Sequence, residues 1–75
     1  MEKIIEILED LQPGIDYENE TTLADEHKIA SLLIVSIVSE LEEKFDISIP
    51  ATEIVNDNFN SVSAMWKMVQ RLTDE

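Results

Sequence analysis

The sequence contains no cysteine, which excludes both a disulfide framework and a thiolate metal site, and leaves a chain that would tolerate the cytosol. No run approaches the ~20 apolar residues that a membrane span requires. The opening, MEKIIEILEDL, has neither the basic start nor the long apolar stretch of a secretion signal, and alternates acidic and apolar residues at helical spacing instead. A soluble, cytoplasmic protein without membrane insertion is the expectation. Cations are scarce: five Lys and Arg stand against seventeen Asp and Glu, a formal net charge of -12. A field of that sign repels nucleic acid and anionic membrane and attracts proteins with basic patches, most strongly at low salt. Acidity of this kind also serves plain solubility. There is a single histidine, His27, beside Asp25 and Glu26, and adjacent residues rarely point at one ion, so no metal site is expected.

The chain is also short. Seventy-five residues make one domain, spanning 1–75 and expected to act as a monomer, and at this length folding removes only about 60% of the unfolded surface from water. A deep pocket assembled from many elements is out of reach, so binding or carrying is favoured over catalysis. A hydrolase built on Ser31 and His27 fails for the same reason and for want of an oriented acid.

What is present is helical periodicity. Ile4, Ile7, Leu8 and Leu11 share one face of a first helix while Glu6, Glu9 and Asp10 face away. Pro13 and Gly14 stop it. Residues 13–30 then form a polar, acidic connection with isolated apolar anchors at Ile15, Tyr17, Leu23 and Ile29, the pattern of a loop pinned across a bundle. From Ser31 to about Phe45, the residues Ile34, Ile37, Val38, Leu41 and Phe45 make a buried face, and Leu32, Ser36, Ser39, Glu40 and Glu43 lie opposite. Pro50 biases its predecessor toward extended backbone. Residues 51–58 support only a short helical turn, with Ile54 and Val55 as its apolar contribution and Phe59 as a core plug. Asn60 or Ser61 caps a last helix whose face is Val62, Met65, Trp66, Val69 and Leu72, with Met68 in or near the core and Lys67 and Arg71 on the outer side. The expected fold is all-α: three main helices and one short turn.

The second helix carries the functional question. Leu32 has no packing reason to stand on the outer face, next to a serine hydroxyl at the first turn and above carboxylates. Ser31 admits two readings: an N-cap oxygen accepting a backbone N–H, or a hydroxyl held outward for chemistry. Ser31 and Leu32, followed by Leu41-Glu42-Glu43-Lys44-Phe45-Asp46-Ile47-Ser48-Ile49-Pro50 with fourteen residues from Ser31 to Phe45, resemble the acyl carrier proteins. Their hallmark is Asp-Ser-Leu opening the second helix and a Leu-Glu-Glu-X-Phe-Asp-X-X-Ile-Pro run at that spacing. The likeness extends over essentially the whole chain, including Ser61 and Val62 at the last helix.

The resemblance implies a small four-helix bundle whose Ser31 is esterified by 4'-phosphopantetheine, transferred from coenzyme A by a phosphopantetheinyl transferase. The arm's thiol carries acyl groups as thioesters, and the carrier is not itself an enzyme. Acyl-activating, acyltransferase or synthase enzymes with basic docking patches, in fatty-acid, other lipid, polyketide or peptide-like pathways, are the implied partners. Leu32, Leu33, Val35 and Ser36 would supply contact area, and Glu42 and Glu43 correspond to positions that meet partner Arg and Lys. Ala30 departs from the pattern, standing where the family has aspartate, which removes a capping group and a contact for the transferase. That departure favours the alternative, an unmodified interaction module binding a basic partner through the same edge.

Overall fold

A computed structural model describes residues 2–74; Met1 and Glu75 lie outside the described residues. Four helices follow one another: α1 Glu2–Leu11, α2 Ser31–Phe45, α3 Asn56–Phe59 and α4 Val62–Thr73, with a 3₁₀ turn at Ala51–Glu53 before α3. No strand occurs among the described residues. The architecture is all-α, as the helical periodicity of the sequence predicts.

The apolar stripe of α1 buries Ile4, Ile7 and Leu8 against α2 and α4. The helix ends at Leu11, and Gly14 then takes φ 97°, a left-handed value that a side chain would resist even though the space around it is open. From α2 come Ile37 and Leu41, fully buried, with Ile34, Val38 and Phe45 half-buried at the margin of the same face. From α4 come Val62, Met65, Met68 and Val69, while Trp66 and Leu72 are half-buried. The rings of Trp66 and Phe45 meet with centroids 6.0 Å apart at a tilt of 57°, closing the edge between α2 and α4. Phe59, the last residue of α3, is fully buried and plugs the core as its isolation in a polar stretch predicts.

The long connection is pinned as expected. Tyr17, Leu23 and Ile29 are buried, Ile15 is half-buried, and Ala24 joins them. Tyr17 also has a polar anchor: its hydroxyl donates to the carbonyl of Gln12 at 2.5 Å and lies 3.4 Å from that of Leu8, satisfying oxygens at the C-terminal end of α1. Among the described residues no buried side-chain nitrogen or oxygen lacks a partner.

Ile54 and Val55 do not serve the core: they lie between the 3₁₀ turn and α3 and remain 42% and 48% exposed. Phe59 alone fills the space that α3 offers, and the backbone between two short helical turns points its other apolar side chains outward. The cap of α4 is Ser61 rather than Asn60, its Oγ accepting the Ala64 N–H at 3.0 Å; Asn60 is occupied elsewhere.

Candidate functional site

The start of α2 is one residue out of register with a serine cap. Ala30 is the capping residue, extended at φ -73° and ψ 156°, and its carbonyl accepts the Ile34 N–H at 3.1 Å, the first bond of the helix. A methyl group cannot accept an N–H, so the cap has no side-chain bond. Ser31 is the first residue inside the helix and is exposed. Its hydroxyl makes no hydrogen bond to another described residue, so the cap-oxygen reading does not hold in this structure.

Two consequences follow for the chemistry available there. The N–H groups of the first turn have no intrahelical acceptors, and α2 has no acidic residue in that turn to compete for them. At fifteen residues, the helix also brings the positive end of a substantial dipole to the same point. A phosphodiester on Ser31 Oγ would place anionic oxygens beside these donors, so the residues present fit a phosphate-linked group.

The expected contact residues divide sharply. Leu32 is 84% exposed and Val35 63% exposed, and Ser36 is exposed beside them. Leu33 instead turns in and is half-buried against the core. After Ser31 the first carboxylate on α2 is Glu40, so the edge next to the serine is apolar and hydroxylic rather than acidic. Glu43 is exposed. Glu42 is not free in the same way: it is half-buried, and its Oε2 accepts the Ile49 N–H at 2.8 Å. Its own carbonyl accepts the N–H groups of Asp46 and, at 3.2 Å, Ile47. The family resemblance implies that Glu42 meets partners; in the structure its carboxylate is engaged at the turn that ends α2, where Asp46 sits in the left-handed region at φ 53°.

The segment leading to Ser31 is tightly bonded. Lys28 and Ile29 donate their N–H groups to the carbonyl of Leu23 at 2.9 and 3.2 Å, and Gln12 Nε2 donates to the Lys28 carbonyl at 2.9 Å, tying the segment to the end of α1. The Lys28 ammonium pairs with Glu20 at 2.5 Å, and that hydrogen bond raises its pKa. His27 is exposed at φ 55°. Asn60 was legible only as a possible cap, yet it holds this loop: its carbonyl accepts the Leu23 N–H at 2.9 Å, its Oδ1 the N–H groups of Ala24 at 3.1 Å and Asp25 at 2.8 Å, and its Nδ2 donates to Asp25 Oδ2 at 3.0 Å. Such pairing across thirty-five residues leaves no local signal.

Among the described residues no group of three or more His, Asp or Glu is placed to hold a metal ion, and no helix is long and apolar enough to cross a membrane.

Comparison with known proteins gives a consistent picture. The family described as "Phosphopantetheine attachment site" matches residues 2–69. The chain is also similar to the D-alanyl carrier proteins of Lactococcus lactis subsp. cremoris strains MG1363 and SK11, each 29% identical over 76 residues that take in 99% of this chain and 96% of the relative. No solved structure matches.

Proposed function

The chain belongs to the phosphopantetheine attachment-site family, non-catalytic carriers that bear covalently attached 4'-phosphopantetheine, and from that premise we propose that Ser31 is the attachment residue and the first half of α2 the docking edge. One observation carries the reading. Ser31 stands exposed at the first position of α2, its hydroxyl uncommitted and next to unpaired helix-start N–H groups, in a chain that matches the family nearly end to end. Loading is the work of a separate transferase, which forms the Oγ–P bond at the pantetheine-side phosphorus as the P–O bond of coenzyme A's pyrophosphate breaks, 3',5'-adenosine diphosphate leaves and the hydroxyl proton is taken up by a base of the transferase. The carrier contributes a reachable oxygen and donors for the phosphate. When bound, the group supplies a thiol on a flexible arm, on which cargo is held as a thioester.

The proposed cargo is an acyl group, delivered by an acyl-activating ligase and consumed by an acyltransferase or synthase. A small aminoacyl group is favoured within that class, because the two relatives are named for carrying D-alanyl. Docking would rest on Leu32 and Val35, with Ser36 beside them and Glu43 steering a basic patch on the partner; Leu33 and Glu42 serve mainly the fold.

Ala30 supports a second reading, an unmodified module that binds through the same edge. The two separate in one experiment: intact-mass analysis after incubation with coenzyme A, magnesium and a broad-specificity phosphopantetheinyl transferase. The carrier reading requires one added phosphopantetheine that disappears in Ser31→Ala. An unchanged mass with several such transferases would transfer the case to the interaction module.

A further inference from the structure

The start of α2 is set from outside the helix. Ala30 offers no side-chain acceptor and the first turn has no carboxylate, so neither of the usual local devices determines where the helix begins. What precedes it is a self-bonded turn, residues 22–29. Its internal bonds run from Glu26 N–H to the Thr22 carbonyl at 2.9 Å, and from Lys28 and Ile29 back to Leu23. Leu23 and Ile29 are its buried ends, and Ile29 is only two residues from Ser31.

Asn60 supplies four bonds from this turn to the rest of the bundle, and Asp25 is the side chain that answers it. One carboxylate oxygen of Asp25 accepts from Asn60 Nδ2, and the other accepts from Asn56 Nδ2 at 3.1 Å, so the turn is fastened to α3 as well. Asn60 immediately precedes Ser61, the cap of α4. The position of Ser31 is thus referred through the 22–29 turn to the starts of α3 and α4, at the place where the chain lacks the capping carboxylate that would define it locally.

We propose that Asn60 and Asp25 are positioning residues for group transfer onto Ser31, holding the 22–29 turn so that α2 opens with the hydroxyl outward. This role rests on the reading of Ser31 as the attachment residue. Neither side chain touches the reacting atoms; both act through the backbone that presents them.

The chemistry of the pair allows a reciprocal test. Asn60→Asp keeps the acceptor for the Ala24 and Asp25 N–H groups but replaces the donor facing Asp25 with a second carboxylate oxygen, setting like charges against each other. Adding Asp25→Asn to the same chain restores one donor and one acceptor with their places exchanged. The transferase's kcat/KM for the Asn60→Asp chain should fall by about tenfold or more, as expected for a misplaced reacting group, and the double variant should return to within about twofold of the unsubstituted chain. Hydrogen exchange of the Ile34 amide, the first bonded N–H of α2, should quicken and recover in parallel, a readout that needs no loaded carrier.

Val69→Ala, a core truncation in α4, is the control for general loss of stability: under conditions where it stays folded it should be modified at the unsubstituted rate. Should Asn60→Asp not fold, Asp25→Ala removes the same bond from the exposed side and carries the comparison. Modification of Asn60→Asp at the unsubstituted efficiency, or a double variant that stays slow, overturns the pairing. Absence of any adduct on the unsubstituted chain overturns the attachment reading itself, and this role with it.

Discussion

The carboxylate of Glu42 accepts the backbone N–H of Ile49 at 2.8 Å, seven residues downstream, while the carbonyl of the same residue receives the N–H groups of Asp46 and Ile47. One residue thereby secures the turn that ends α2 and delivers buried Ile49 to the core. Hydrogen bonds to an ionised acceptor contribute more than neutral ones, so Glu42→Ala should destabilise the chain by about 1–2 kcal/mol. Glu42→Gln keeps an acceptor and should lose less than half of that. Urea unfolding at neutral pH measures both, and equal effects would show that the bond is not what Glu42 contributes.

Tyr17 makes the fold sensitive to high pH. Burial, with the charge of Glu9 second, raises the pKa of its phenol above the ordinary tyrosine value. The neutral form is therefore the one that the folded state prefers. The stability this contributes is fully present below the unfolded tyrosine pKa of about 10, and is lost as pH rises through the higher folded value. The chain has one tyrosine, so absorbance at 295 nm follows it without ambiguity and should show a midpoint above that of the unfolded chain. Tyr17→Phe should cost about 0.5–1.5 kcal/mol at pH 7, from the lost bond to Gln12, and should remove the part of the alkaline stability loss that tracks the phenol.

Position 30 is an N-cap without a capping side chain. Ala30→Asp places a carboxylate where it can accept an N–H of Leu32 or Leu33 and face the positive end of the helix dipole, and should stabilise the chain by about 1 kcal/mol. Thermal unfolding gives this directly. If the same carboxylate is the contact the transferase lacks, the modification rate of Ser31 should rise with it; stabilisation without a faster rate would separate the cap from the contact.

These residues show how far the sequence could be read. The stripes of α1 and α4, the loop anchors and Phe59 are visible because each is an apolar residue recurring at helical spacing or isolated in a polar stretch, and burial follows from that contrast. The family motif makes Ser31 the candidate, and the structure leaves that residue exposed. The outward position of Ile54 and Val55 is not legible, because two adjacent apolar residues in a segment with no established period do not declare which way they point. The bonds that Glu42 and Asn60 make within the fold are not legible in the sequence because they depend on where distant backbone arrives, at Ile49 and at Leu23–Asp25. Composition cannot distinguish a carboxylate that meets a partner from one that meets its own chain.

The docking edge separates apolar from electrostatic recognition. Leu32 is 84% exposed, so Leu32→Ala should change folding stability by less than about 0.5 kcal/mol. A leucine buried on docking contributes about 1.5–3 kcal/mol, and truncation to alanine forfeits most of it, which corresponds to a rise of about tenfold in the KM of an acyl-handling partner for the loaded carrier. Glu43→Gln removes an exposed charge worth under about 1 kcal/mol, and its effect should shrink as salt rises past the point where the screening length falls below about 8 Å. Because the two turns after Ser31 are free of carboxylates, the Leu32 effect should persist at high salt and exceed that of Glu43 throughout. KM measured for both variants at low and high salt decides it. A larger, salt-dependent loss in Glu43→Gln with Leu32→Ala unaffected would mean that the partner is drawn to the acidic half of α2 and leaves the exposed leucine without a role.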